Sequence, residues 1–227
     1  MSHIAVILPV LNEEAQITAC LTLLQPLREQ DCELIVVDGG SGDRTVALAK
    51  PLADRVISSS RGRAAQMNAG ARQAGSDILW FLHADSRPPP AAANLIRAAL
   101  ARPERQWGRF DVRLSGRHPL LRMVEILMNA RSRLTGIATG DQGIFMRRET
   151  FEHVGGYPLI ALMEDIALSR LLKRQSRPVC LRQRLTTSSR RWESNGILRT
   201  ILLMWRLRLA YSLGADPNRL ARLYYRS

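Results

Sequence analysis

Short apolar runs alternating with stretches of helical periodicity constrain this chain more than any other feature. HIAVILPV (3–10), ELIVVD (33–38), DRVISS (54–59) and DILWFLH (77–83) have the composition of buried strands. Between them, Glu13 to Leu27, Thr45 to Leu52 and Ala64 to Ala74 carry helical spacing, with Ile17, Leu21 and Leu24 on one face of the first. Strands separated by single helices form βαβ units and a parallel sheet, whose ligands bind beyond the carboxyl ends of the strands. With 227 residues, 46% of them hydrophobic, the chain can bury one substantial core. The expected fold is therefore α/β: a Rossmann-like, mainly parallel sheet flanked by helices.

Polar residues gather just after each strand run. Pro9 to Glu14 follows the first, Asp38-Gly-Gly-Ser-Gly-Asp43 the second, Arg61-Gly62-Arg63 the third and His83-Ala84-Asp85 the fourth. Each could be an ordinary turn or helix cap, but four charged turns on one sheet edge suit a ligand. A carboxylate at Asp38 can accept hydrogen bonds from a base or ribose. Asp85 can hold a hard divalent cation that bridges two phosphates, and Arg61 and Arg63 add positive charge nearby. A dinucleotide fingerprint would place G-x-G-x-x-G after the first strand; PVLNEE has no glycine, which excludes a dinucleotide-dependent dehydrogenase.

The second half is less regular. WGRFDVRL (107–114) alternates like a half-exposed strand, and residues 119–134 form an apolar helix carrying Arg122, Arg131 and Arg133. In TGDQGIF, Gly140 and Gly143 bracket Asp141 and Gln142 before a strand at Ile144 to Met146, a pattern that fits close approach to a ligand. GGYP marks a turn. Glu164 and Asp165 then open a helix with Ile166, Leu168, Leu171 and Leu172 as its apolar face. Acids in a first helical turn can simply favour the dipole.

Charge and cysteines narrow the setting. Lys+Arg 33 against Asp+Glu 20 gives a net charge of +13, and only Lys50 and Lys173 are lysines. Arginine forks suit phosphates, nucleic acid and anionic lipid, although arginine-rich composition alone names no partner. Cys20, Cys32 and Cys180 form no C-x-x-C pair and fit reduced thiols. MSHIAVILPV lacks the basic start and cleavage site of a signal peptide, and no stretch reaches a membrane span. A cytoplasmic protein is expected.

Taken in order, PVLNEE, VVDGGSGD, RGRAAQMNAG, FLHADSRPP, GDQGIFMRR and MEDIALSRLL resemble the inverting family 2 glycosyltransferases of the GT-A fold, over about residues 3 to 190. RGRAAQMNAG, WGRFDVRL, RSRLTGIATGDQGIF and the tail RRWESNGILRTILLMWRLRLAY are similar, more narrowly, to the subgroup called arsenosugar biosynthesis glycosyltransferases. The resemblance implies a GT-A domain over residues 1–190 and a C-terminal helical extension over 191–227. It implies nucleotide contacts at Pro9, Glu13, Asp38, Arg63 and Asn68, and diphosphate or sugar contacts at His83, Ala84 and Arg61. Asp85 matches the second carboxylate of the family's D-x-D metal motif and would hold Mn²⁺ or Mg²⁺. His83 stands where the first aspartate usually is; a neutral imidazole can ligate Mn²⁺, whereas Mg²⁺ would prefer the missing oxygen. Asp165 matches the family's catalytic base, with Glu164 orienting beside it, and Asp141 and Gln142 shape the acceptor pocket.

The resemblance thus implies a nucleotide-sugar donor, a UDP-sugar being favoured, and an acceptor that is a small molecule or lipid-linked. It implies no nucleic acid partner. The tail is apolar nearly all round yet carries Arg199, Arg206 and Arg208, so it can cover the sheet, a second copy in a homodimer, or the inner face of a membrane. Two other readings compete: a non-catalytic basic module for nucleic acid or lipid, and a nucleotidyltransferase. The first gives Asp38, Asp85 and Asp165 no reason to sit at ligand-facing ends; the second would want a glycine- and arginine-rich first loop.

Overall fold

Seven strands form one mixed sheet in the order β3-β2-β1-β4-β6-β5-β7. They are β1 (Ile4–Val10), β2 (Cys32–Asp38), β3 (Arg55–Ser58), β4 (Ile78–Phe81), β5 (Trp107–Leu114), β6 (Phe145–Arg147) and β7 (Val179–Thr187). The computed structural model describes residues 2–225; Met1 and the last two residues of the expected extension lie outside the described residues. The first four strands pair in parallel, β6 runs antiparallel to both β4 and β5, and β7 returns parallel to β5. The expected mainly parallel sheet flanked by helices is the fold observed.

Alternation along each central strand sends side chains to two separate cores. Ile4, Val6 and Leu8 join Leu34 and Val36 beneath α1 (Ile17–Arg28) and α4 (Ala92–Ala99). Ala5 and Ile7 join Ile35 and Val37 beneath α3 (Arg63–Gln73) and α7 (Glu164–Gln175). With both faces covered, β1 and β2 can be nearly continuous apolar runs, and each fully buried Ile or Leu contributes about 2 kcal/mol. Gly70 lets α3 lie close to the sheet: a Cβ there would come within 2.5 Å of Ile7 Cγ2 and 3.0 Å of Val37 Cγ2.

Sequence periodicity located these elements but misjudged some boundaries. Helix α1 begins at Ile17 rather than Glu13, because the backbone of residues 12–14 is tied to the next loop. α2 (Thr45–Ala49) is correspondingly short. The periodicity gave no sign of α4, α6 (Arg148–His153) or β7.

Two further clusters attach the C-terminal helices α8 (Arg190–Ser194), α9 (Ile197–Ser212) and α10 (Pro217–Tyr225). Ile197 and Ile201 pack with Leu121, Val124 and Met128 of α5 (Pro119–Thr135). Leu207, Leu220 and Ala221 pack with Leu162, Met163 and Ile166 at the start of α7. α9 therefore spans from α5 to the helix that opens with Glu164 and Asp165. Among the described residues no helix is long and apolar enough to cross a membrane.

Candidate active site

The loops beyond β1 and β2 hold each other in place. Asn12, at φ 54°, donates its backbone N–H to Ser41 Oγ at 2.9 Å and accepts from Gly42 N at 2.9 Å. Glu13 N donates to Thr45 Oγ1 at 2.7 Å, while the Glu13 carboxylate accepts from Gln16. Asp38, at the end of β2, is buried and turned onto its own loop, accepting from Gly40 N and Ser41 N at 3.0 and 3.1 Å. Pro9 lies in β1 opposite Val37. Beneath them, buried Gln66 of α3 donates to the carbonyls of Val10 (2.7 Å) and Val37 (2.8 Å), joining the strand ends. Gln66 follows Arg63 by one helical turn, a spacing that could have flagged it.

The fourth loop divides its residues between two places. His83 Nδ1 lies 3.3 Å from Asp141 Oδ1, and its ring rests on Gly140, where a Cβ would come within 2.5 Å of Nε2. Asp85 accepts instead from Thr187 Oγ1 at 3.2 Å, beside a cavity of about 240 Å³ lined also by Gln16, Cys20, Arg87 and Ser115. Ala84 is buried between them and Arg61 is exposed. Among the described residues, no three His, Cys, Asp or Glu side chains come together as a metal site. Asp85 thus offers one carboxylate. That donor set suits a cation arriving on a diphosphate, because Mg²⁺ commonly binds through one or two carboxylates together with substrate phosphates and water.

His83 and Asp141 face the opening of α7. His83, Arg63, Gly140, Tyr157, Glu164 and Asp165 line one narrow pocket. Asp165 accepts from Gly140 N at 2.9 Å and Ile166 N at 2.7 Å, which fixes its carboxylate against the 140–142 turn. Glu164 is buried; burial and then the charge of Asp165 push it up to about 7, against the pull of Arg63. Desolvation raises Asp141 too, but His83, Arg63 and Arg208 together hold it below its ordinary value. Gln142 points into the fold, accepting from Thr139 N and donating to Asn129 Oδ1 at 3.4 Å. Asn68 is committed to Tyr157, donating to its carbonyl at 2.8 Å and accepting from its N–H at 2.9 Å.

Besides Gln66, sequence reasoning did not assign Tyr157, Arg131 or Arg208 to the site. Tyr157, read only as part of a turn, is buried edge-on against Phe81 with centroids 5.0 Å apart; burial, then Asp165 and Glu164, hold its hydroxyl well above its ordinary pKa. Arg131 of α5 and Arg208 of α9 stand in the field of Asp165. Burial, then Arg208, push Arg131 down to about 10, and burial lowers Arg208. Arg131 Nε and Nη2 and Arg208 Nε are shielded from solvent and meet no acceptor among the described residues. Neighbouring Arg109 also has a buried Nε without an acceptor, but its Nη1 donates to Asp111, which accepts from Arg133 at 2.5 Å as well. Charged residues in an otherwise apolar helix were the available signal for Arg208.

Comparison with known proteins matches residues 5–155 to the model of glycosyl transferase family 2. The undecaprenyl-phosphate 4-deoxy-4-formamido-L-arabinose transferase of Pseudomonas aeruginosa is 29% identical over 172 residues, 63% of this chain and 46% of that protein. The chain therefore spans about half the length of the curated relatives it matches. Among solved structures, the mannosyltransferase PcManGT from Pyrobaculum calidifontis, in complex with GDP-Man and Mn²⁺, superposes with TM-score 0.67 at 24% identity, covering 92% of this chain and 61% of that one. Glucosyl-3-phosphoglycerate synthase from Mycobacterium tuberculosis, in complex with Mn²⁺, UDP and glucosyl-3-phosphoglycerate, gives TM-score 0.61 at 21% identity, covering 82% and 71%. At these identities the structural likeness establishes the fold, which is that of the GT-A glycosyltransferases.

Proposed function

Since this chain belongs to glycosyl transferase family 2, we propose that it transfers a sugar from a nucleoside-diphosphate donor, a UDP-sugar in our preferred reading, to an acceptor oxygen with inversion at the anomeric carbon. The observation that carries this reading is the junction of two loops. Asp165 is fixed on Gly140 N, and His83 is fixed on Asp141 in the same pocket, beyond the carboxyl end of β4. Residues 1–190 are read as the catalytic unit and 191–225 as its helical cover.

In this reading the ends of β1 and β2, with Pro9, Glu13 and Asp38, receive the nucleotide. Asp85, together with the donor's own phosphate oxygens, would hold Mg²⁺ or Mn²⁺. Such a cation neutralises charge on the departing diphosphate. The acceptor oxygen attacks the anomeric carbon as the carbon–oxygen bond to the diphosphate breaks; where that oxygen is a hydroxyl its proton passes to Asp165, and the electron pair leaves with the nucleoside diphosphate. Backbone N–H donation from Gly140 and Ile166 aims the Asp165 carboxylate, and the neighbouring Glu164 keeps the acceptor side polar.

Arg131 and Arg208 bear on the acceptor. Buried arginine N–H groups without acceptors are costly, and an oxyanion on the acceptor would satisfy them. We therefore favour an anionic acceptor, an oxyanion of phosphorus or arsenic, on a small molecule or on a lipid carrier. The arsenosugar-type resemblance and the lipid phosphate of the Pseudomonas relative both fall within that class.

Asp165→Asn tests the assignment. It is expected to retain donor binding while transfer falls by about 10²- to 10⁴-fold, and NMR of the wild-type product should show the inverted anomer. Transfer preserved in the variant would remove Asp165 from the base role.

A further inference from the structure

Helix α9 carries two opposed faces. Inward, Ile201 and Leu207 are buried and Arg208 lies in the field of Asp165 and Asp141. Outward, Leu198, Leu202, Trp205, Leu209 and Leu213 follow one another at intervals of four, three, four and four residues, so they fall on one stripe. All five are exposed, from 61% at Trp205 to 79% at Leu213. The stripe runs about 22 Å along the helix. Arg199 and Arg206, both exposed and seven residues apart, border it on the same side.

The neighbouring helix repeats the pattern. On α5, Met123, Ile126, Leu127, Ala130 and Leu134 form a second outward stripe, with Ile126 67% and Leu134 86% exposed. The two helices pack through Leu121, Val124, Met128 and Ile201. Two exposed apolar stripes thus lie on two helices in contact, unlike the scattered single hydrophobics of an ordinary surface.

Charge selects what covers it. No acid lies between Ile197 and Ser212, and the one acid of α5, Glu125, is buried, accepting from Leu114 N and paired with Arg122 at 3.0 Å. Exposed Arg199 and Arg206 are the charges this surface offers, Arg133 being paired with Asp111. A second copy docking through the same face would set arginine against arginine, because a two-fold interface is made of like surfaces. An anionic lipid surface supplies both partners that the face lacks: hydrocarbon for the stripes and phosphate for the arginines.

We infer that α5 and α9 form a docking face for an anionic lipid surface, laid against the headgroup region with Trp205 and the leucines inserted. Because α5 and α9 also carry Arg131 and Arg208, docking sets the acceptor side of the pocket beside the lipid. The inference stands on surface pattern and charge, whether or not the chain transfers a sugar.

Co-sedimentation with vesicles tests it. The wild type is expected to sediment with phosphatidylcholine vesicles containing phosphatidylglycerol and not with phosphatidylcholine alone, with a blue shift in tryptophan emission and release by salt. Leu202→Ser with Trp205→Ser should weaken binding by about tenfold or more, and Arg199→Gln with Arg206→Gln by about fivefold per arginine. Nucleotide titration and the melting curve of each variant, expected to be unchanged, show that the fold persists. If a variant fails to fold, the wild-type comparison of the two vesicle types and its salt series still decide. No binding to the anionic vesicles, or binding indifferent to these substitutions in folded protein, overturns the inference. A concentration-dependent dimer abolished by Leu202→Ser with Trp205→Ser would instead make a second copy the occupant and overturn it equally.

Discussion

The most informative single side chain is Glu164, because its cost and its position have one cause. It is buried at the mouth of α7 next to Asp165, and burial followed by that neighbouring charge raises its pKa to about 7. A carboxyl whose folded-state pKa exceeds its unfolded value binds more protons when native. Stability therefore falls as pH rises from about 4.5 to about 7 and stays low above that. The loss across this window is on the order of 3 kcal/mol. Glu164→Gln should abolish most of that slope and raise the melting temperature at pH 8 more than at pH 4, as denaturation followed across pH will show. An equal shift at both pH values would contradict it. The sequence displayed this residue plainly as an acid in a first helical turn. What it did not display was the companion Tyr157, supplied by a turn and made relevant only by the folding of Asn68 against it.

At the scale of elements, two helices position the site by different means. α3 reaches the sheet through Gly70, and Gly70→Ala should destabilise the protein by about 1–3 kcal/mol through overpacking, despite alanine's better helix propensity. Chemical denaturation measures this; a neutral or stabilising result would mean that Ile7 and Val37 can move aside. α9 contributes Arg208 from its inner face. Arg208→Gln should lower kcat/KM for an anionic acceptor by about 10- to 100-fold with donor KM unchanged, the loss expected for a charged hydrogen-bond donor; an equal loss for a neutral acceptor would argue against an anion subsite. The elements legible in the sequence were the apolar strand runs β1, β2, β3 and β4, the alternating β5, and the helices α3, α5 and α7, whose apolar residues keep a helical period. β7 was not legible because Arg182 and Arg184 interrupt its apolar residues, and its pairing with β5 shifts register between Phe110 and Asp111. α6 is six residues long, too short for periodicity to register.

For the whole molecule, strand order explains why the site could be read in outline before its geometry was known. A parallel half sheet gathers the loops after β1, β2 and β4 at one edge, so motifs about 30 or 40 residues apart in sequence become neighbours. The antiparallel return through β6 then brings the 140–142 turn to His83, and α7 brings Asp165 to that turn. The pairing of His83 with Asp141, and the separate place of Asp85 beside Thr187, depend on side-chain directions at a turn that no spacing rule specifies. The arginine excess resolves likewise into distinct uses: Arg109 paired with Asp111 within the fold, Arg131 and Arg208 in the field of Asp165, Arg199 and Arg206 exposed on α9. At this scale the protein is a donor site that, in the proposed function, a divalent cation completes through Asp85. This is tested most directly by calorimetric titration with UDP, GDP and their sugar conjugates, in Mn²⁺, in Mg²⁺ and in chelator, for the wild type and Asp85→Ala. One nucleotide is expected to bind in the presence of metal, and chelator or Asp85→Ala to remove this binding. Absence of nucleotide binding under every condition, or an affinity indifferent to both metal and Asp85, would contradict it.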